Sequence, residues 1–518
     1  MPRFLALIIC IPLAAQSGAD RPRISLPYTP SLDPAAMDRS VDPCQDFYRY
    51  SCGGWIRDNP IPPDRTRWDV YGKMQQENQR LLWGILEEAA AAPGSDPVKR
   101  QIGDYFSACM NQPAVERAGL ASIQPRLDEI AALKSIRQLA PLLSRLHLET
   151  QGGGLLFGFD VNQDFADSTQ MIAFFSAGGL GLPNRDYYTK TDAKSVETRQ
   201  RYLAHIARML ELAGDSPSAA QTGAKAILDI ETALARASLT QAELRDPYKV
   251  FHKMPVSRLR TLAPAFDWSA YVKTYGLAAR EANVTEPAFF RQVNTLLKAR
   301  PIAEWKTYLR WHILHASARY LPQSIVDEDF AFYSAYLRGQ KEQQARWKRC
   351  VAWTDRDLGE ALGRIYVEKT FTPDTKARAL EMLQRIEQAM ETDIQGLTWM
   401  SAPTKARALD KLHLMVNKIG YPAKWRDYSG LAVSRDSFLA NVRNAAVFES
   451  RRQLAKIGKP IDRGEWFMTP PEVNAYYNPQ MNDMNFPAGV LQPPLFDAKM
   501  DDAPNYGNTG ATMGHELT

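Results

Sequence analysis

Apolar side chains recur at helical spacing in one segment after another between residues 98 and 455, and this periodicity restricts the fold more than any other feature. The stretches 98–111, 126–147, 194–213, 218–238, 286–298, 303–319, 356–369, 374–398 and 432–457 all carry it. A further helix is expected from Trp68 through GKMQQENQRLLWGILEEAAAA, where Pro93-Gly94-Ser95 breaks the pattern. Two stretches read as extended, 153–163 (GGLLFGFDVNQ) and 168–179 (STQMIAFFSAGG), and their adjacency predicts a hairpin. Near residue 471 the texture changes. Glu472–Tyr477 reads as a strand, a Pro/Gly-rich apolar stretch follows, and Gly507 and Gly510 lead into a short helix bearing His515. The pattern is mainly α, and 518 residues predict more than one domain.

Charge excludes one class of partner. The 63 basic and 58 acidic residues leave a net charge of +5 with no Lys/Arg block, so nothing points to nucleic acid. At the N-terminus, Arg3 precedes the apolar run Phe4–Ala15, and the small residues Ser17, Gly18 and Ala19 follow it. A membrane helix needs about 20 apolar residues. Residues 1–19 therefore read as a cleaved secretory signal, with a buried N-terminal helix as the alternative. No later segment is expected to span a membrane, and the protein is expected to be secreted, periplasmic or extracellular. Residues 20–41 are Pro-rich and unpatterned, as a linker would be. Cys44, Cys52, Cys109 and Cys350 remain after signal removal, as disulfides in an oxidising compartment or as buried thiols.

Gly514-His515-Glu516-Leu517-Thr518 carries four letters of a His-Glu-x-x-His motif. In that motif two histidines one helical turn apart grip one Zn²⁺, and the glutamate activates its water. Alone, the four letters are equally a polar helix start. His312 and His315, three apart in WHILHASARY, are a metal pair or, given their apolar and aromatic neighbours, core or interface histidines. Asn283-Val284-Thr285 is a glycosylation sequon, meaningful only on a glycosylating secretory route.

Ordered motifs decide between these readings. VNAYY (473–477), FPAGVLQPPLF (486–496) and GHELT (514–518) closely resemble the neprilysin family of zinc metallopeptidases, which includes the endothelin-converting enzymes. The resemblance begins near Asp42 with CQDFYRYSCGGW. It continues through LPNRDYY (182–188), the run from Cys350 to GRIYVEKTF (363–371), LTWM (397–400) and KIGYP (418–422).

The resemblance implies a mainly α, two-domain metallopeptidase with an incomplete thermolysin-like catalytic domain. Residues 95–430 would form the helical domain, and 42–92 with 431–518 the catalytic one. His515 would be a zinc ligand and Glu516 the general base, in a Zn²⁺-dependent endopeptidase cutting peptides on the amino side of hydrophobic residues. Asn474 and Ala475 would pair with the substrate main chain from an edge strand, although Asn474 also suits a strand-end cap. Val490 and Leu495 would line the S1′ pocket, with Ala511 and Thr512 beside them. Arg67 and Tyr71 would border S1′ and S2′, whereas Gly72 stands where the family often has an acid. The family's second histidine would fall at 519 and its third ligand further downstream. A chain of these 518 residues is therefore expected to be inactive, and the alternative function is a non-catalytic, secreted peptide-binding product. The family pattern also implies a Cys109–Cys350 bridge. A helical DFYRYS would hold Cys44 and Cys52 about 12 Å apart, beyond the roughly 7 Å a disulfide spans. Peptides are the expected partners; the sequence says nothing of oligomeric state.

Overall fold

The computed structural model describes residues 20–518, so the predicted signal at 1–19 lies outside the described residues. Helices dominate. Along the chain, α1 (Phe47–Asp58) is followed by α2 (Val70–Ala91) and α3 (Pro97–Met110). The Asp69 carboxylate starts α2 by accepting from Gly72 N at 2.7 Å. Asp96 and Pro97 start α3 in the same manner. Helix α2 buries Met74, Asn78, Leu81, Leu82, Ile85, Leu86 and Ala89, a stripe at three- and four-residue spacing. Helix α3 approaches it so closely that a Cβ on Gly103 would stand 2.6 Å from the Ala89 backbone.

The predicted helix 126–147 is divided: Gln124–Ala131 ends before a loop, and α4 (Leu139–Glu149) follows. Strands β1 (Phe157–Gln163) and β2 (Met171–Ala177) then form the expected antiparallel hairpin, Phe157 opposite Ala177. After α5 (Ala193–Leu212) and α6 (Pro217–Ala237) come β3 (Lys253–Pro255) and β4 (Glu281–Val284). Strand β4 runs parallel to β2, giving the order β1-β2-β4-β3. Asn283, the sequon residue, is buried in β4, accepting from His252 N at 2.6 Å and donating to Val250 O at 2.9 Å. The folded chain leaves it no room for a glycan.

Next come α7 (Ile302–Ser317), α8 (Arg346–Thr370) and α9 (Pro373–Gly396). Helix α8 starts ten residues before the predicted 356 and is kinked at Leu358 (φ −131°, ψ 30°). It packs on α2 and α3, and Cys350 within it is bonded to Cys109, Cα to Cα 5.7 Å, both fully buried. Among the described residues Cys44 and Cys52 have no disulfide partner. A helix over Ala402–His413 lacks a counterpart among the predicted segments.

Strand β5 (Val416–Gly420), α10 (Phe438–Leu454), β6 (Tyr476–Asn478), β7 (Asp483–Pro487) and α11 (Ala511–Leu517) complete the chain. Strand β5 runs parallel to β7, and β6 antiparallel to it, in the order β5-β7-β6. Residues 416–420, read from the sequence as part of the helical unit, thus lie in the sheet of the 476–487 segment. The strand expected over Glu472–Tyr477 begins only at Tyr476. Continuing the register would set Asn474 against Pro487, which has no N–H to give a ladder.

The stretch read as a linker is docked. Arg23 N donates to Arg80 O at 2.9 Å, and Arg23 pairs with Glu77 at 2.7 Å. Lys348 lies 3.6 Å from Asp20, and Tyr28 Oη donates to Asp497 at 2.9 Å. The Arg23 carbonyl passes so close to α2 that a Cβ on Gly84 would stand 2.0 Å from it.

Candidate functional site

Helix α11 is locked to the loop before it by polar stitches. Asn505, almost wholly buried, donates to Asp497 O and accepts from Asp497 N, each at 2.9 Å. Thr509 Oγ1 donates to Leu495 O at 2.8 Å, and Asn508 Nδ2 to Pro494 O at 3.2 Å. The Asn508 and Thr509 contacts come from a π-helical turn over Tyr506–Gly510 that starts right after Asn505 and leads straight into α11. From α9, Arg378 donates to Met500 O at 2.9 Å and to Asp502 at 2.6 Å. The loop 490–500 and the helix bearing His515 are thereby joined into one body. Met513 points into the core, His515 is exposed and Glu516 is half-buried.

The start of α2 meets this body directly. Tyr71 Oη and Thr512 Oγ1 share a hydrogen bond of 3.0 Å across 441 residues of sequence. Tyr71 and Leu495 both line a cavity of about 920 Å³, together with Trp55, Asn59, Lys73 and Asn508. The docked segment supplies another wall through Leu26, Pro30 and Leu32. Val490 is buried in the core at 1% exposure and is not among the lining residues. Arg67 is exposed just ahead of α2 and is not among the lining residues either. The sequence had singled out Tyr71 and Leu495. Trp55, Asn59 and the proline-rich wall carried no signal beyond their neighbourhood in a matched motif.

Asn474 is exposed and Ala475 buried, immediately ahead of β6 at the sheet's edge. The segment leading to them rests on a notch in α8. A Cβ on Gly359 would stand 2.2 Å from Thr469, and one on Gly363 2.6 Å from Pro470. Asn78 Nδ2 donates to Pro471 O at 2.9 Å and is held in turn by Tyr366 Oη at 3.1 Å. Asp355 stands in the same notch. One of its oxygens accepts from Thr469 Oγ1 at 3.0 Å, and the other has no hydrogen-bond partner among the described residues. Burial raises this carboxyl to about 7, against the Thr469 hydroxyl and with the nearby Glu472 charge. Glu472 is itself raised, chiefly by burial. On the outer side Phe467 is 61% exposed, stacks obliquely on Tyr476 and donates its N–H to Tyr476 Oη at 2.9 Å.

His515 and Glu516 supply one imidazole and one carboxylate. Among the described residues no group of three His, Cys, Asp or Glu side chains could hold a metal ion, whereas a zinc site takes three or four protein ligands. The donor set present therefore falls short of a zinc site. On α7, His312 is buried and His315 half-buried. His312 Nε2 lies 3.1 Å from the fully buried Glu231, whose carboxylate accepts from Tyr188 Oη at 2.7 Å and Tyr202 Oη at 2.9 Å. His315 is stacked on Trp311. No helix among the described residues is long and apolar enough to cross a membrane.

Residues 43–422 match the N-terminal model, and 474–518 the second model, of the family described as Peptidase family M13. Mouse endothelin-converting enzyme 1 is 32% identical over 508 residues, 93% of this chain and 65% of that protein. Neprilysin-3 of Drosophila melanogaster is 28% identical, again over 93% of this chain and 65% of the relative. The chain thus spans just under two thirds of the length of these curated relatives. The inhibitor-bound crystal structure of the Mycobacterium tuberculosis zinc metalloprotease Zmp1 superposes with a TM-score of 0.88 at 34% identity, covering 95% of this chain and 74% of that one.

Proposed function

The chain belongs to peptidase family M13, and from that premise we propose that it is the peptide-handling part of a zinc-dependent metalloendopeptidase that acts on the amino side of hydrophobic residues. One observation carries the reading above the rest. Tyr71, from the distant start of α2, meets Thr512 and shares a cavity wall with Leu495, on the one body that also bears His515 and Glu516. Beside it, just ahead of edge strand β6, stands the exposed Asn474 amide, suited to donate to and accept from an extended peptide main chain. In this reading Asn474 and Ala475 align the substrate backbone. Tyr71 and Leu495 receive the side chain after the cut bond, with Val490 supporting from beneath and Arg67 at the approach.

When bound, zinc would supply Lewis-acid activation of water and carbonyl, with His515 as a ligand and Glu516 as base. Among the described residues these two side chains fall short of a zinc donor set. The second reading follows from the same shortfall: a polypeptide of these 518 residues binds peptides without cleaving them. We divide the chain into a helical unit and a site-bearing unit made of 42–92 and the C-terminal part. The boundary is drawn before Val416, because β5 pairs with β7. The N-terminal apolar run and the Cys109–Cys350 bridge support passage through an oxidising, extracytoplasmic compartment.

The test is direct. Binding of a fluorescent peptide with one hydrophobic residue should weaken about tenfold on Asn474→Ala, as expected for losing hydrogen bonds to a main chain. Zinc added to the same 518-residue protein should leave the peptide uncut. Cleavage lost on Glu516→Gln would overturn the second reading, and binding indifferent to Asn474 would overturn the first.

A further inference from the structure

A second cavity, of about 430 Å³, lies between the outer edge of β1 and the last turns of α10, and Asn478 and Gln480 at the end of β6 form part of its wall. Strand β1 is an edge strand, yet its outward amides are already taken. Phe159 N donates to Gly152 O at 2.9 Å, Val161 N to Asp160 Oδ1 at 2.7 Å and Gln163 N to Asn162 Oδ1 at 2.8 Å. The edge is blunted against further strand addition, which leaves side-chain chemistry to meet a ligand.

Most of the charge lining this cavity is already matched. Lys456 Nζ reaches both Glu465 oxygens at 2.6 Å, and Arg452 reaches Glu465 and Glu449 at 2.7 Å each. Asp160 differs. It opens into the cavity, and among the described residues no Lys, Arg or His nitrogen stands within 4.0 Å of its carboxylate. Asp160 is itself exposed, at the mouth of the cavity; the walls beside it raise its carboxyl, with Val161 N–H and the more distant Lys456 acting the other way. A carboxylate at the mouth of a cavity whose other charges are matched, with no counter-charge of its own, is a receptor for a cation.

We propose that this cavity is a subsite for a cationic group of the bound peptide, a Lys or Arg side chain or a free N-terminal ammonium, with the Asp160 carboxylate as its acceptor. The proposal rests on reading the edge of β6 as the peptide's track. Asn474 to Asn478 is four residues, about 13 Å of extended chain. The preferred cation therefore falls four or five residues from the peptide residue beside Asn474, and the enzyme would favour peptides basic at that distance from the cut bond.

The test uses the 518-residue protein and N-acetylated fluorescent peptides, neutral except for one lysine moved along the chain, with fluorescence anisotropy as the readout. One position, or two adjacent ones, should bind about 3- to 10-fold tighter than the neutral parent. Asp160→Asn should abolish that gain while leaving the parent's affinity unchanged. An unacetylated peptide trimmed to end at the same position should gain likewise if the ammonium is the group recognised; a gain confined to lysine assigns the side chain. Equal gains at every position, a gain that survives Asp160→Asn, or a preference for glutamate at that position (Lys456 then being the recognising group) would each overturn the subsite. Loss of parent binding on Asn474→Ala reports on the track separately. Should the neutral parent not bind at all, the track reading fails, and the subsite is then judged on whether lysine peptides bind this protein and not Asp160→Asn.

Discussion

The aromatic inner face of one sheet and the open edge of the other are finished to different degrees. Around β1-β2-β4-β3, Phe157 is fully buried among Phe266, Trp268, Tyr271 and Phe290, with ring centroids 5.3–5.8 Å apart. The one histidine in this cluster is fully satisfied: His147 Nδ1 meets Tyr271 Oη at 2.7 Å and Nε2 meets Leu155 O at 2.8 Å. Burial pushes its pKa down to about 4, so it is a neutral core residue. Around β5-β7-β6 polar needs are left open: an unpartnered Asp355 oxygen, a raised Glu472, an exposed Asn474 and an exposed Phe467. The difference teaches where to look for chemistry. Saturated polar groups mark scaffold, and unsatisfied ones beside a strand edge mark a place where something else is to bind.

The comparison breaks first on Phe157→Ala. It should cost about 3–5 kcal/mol in denaturant unfolding, since the packed aromatics cannot collapse into the gap. A loss under 1 kcal/mol would mean this sheet is no better packed than the other.

Asp355 tests the second sheet by pH. Its carboxyl is ordinary, near 3.8, in the unfolded chain and about 7 in the fold. The folded state thus holds the proton more tightly, and the associated stability is full below pH 4 and lost as pH rises through 7. Asp355→Asn should remove that decline, on the order of 2–4 kcal/mol between pH 4 and 8. Glu449 does not confuse this window. Burial alone would raise it, but Arg452 and Arg426 bring it down to about 2, so its contribution is lost only as pH falls below its ordinary 4.5. Melting curves that run parallel for both proteins across pH 4–8 would show Asp355 to be satisfied after all.

Smaller effects sharpen the picture. Tyr71→Phe should cost about 0.5–1 kcal/mol, with most of it recovered as coupling in a double-mutant cycle with Thr512→Val. Phe467→Ala should change stability by less than about 0.5 kcal/mol, because the ring is mostly in water. If it instead costs as much as a core residue, the second sheet hides packing that its exposure does not reveal.

The same contrast explains what the sequence disclosed. The helices and the β1–β2 hairpin were legible because their pattern is local: Leu81, Leu82, Ile85 and Leu86 repeat along α2, and the hairpin strands are near neighbours. Strands β3, β4 and β5 were not, since three to five residues carry little periodicity and the partners of β4 and β5 lie far along the chain. The motif around Glu472–Tyr477 placed the edge correctly but overextended the strand, because Pro487 acts from the partner. Tyr71 and Thr512 were each singled out, yet their hydrogen bond is tertiary. The proline-rich stretch near Leu26 and Pro30 read as a linker because docking by ion pairs and one glycine on α2 leaves no apolar rhythm.

The Cys109–Cys350 bond has a topological consequence for this division of labour. It closes a covalent ring that contains all of β1-β2-β4-β3 and none of β5-β7-β6. Tyr71, Asn474, Leu495 and Thr512 all sit on the two linear tails that leave the ring at adjacent roots. The bond more than halves the covalent path between Tyr71 and Thr512, and so reduces the chain entropy lost when the tails meet. A protein pulled by its ends would pay out both tails, and with them the whole candidate site, while the ring stayed closed.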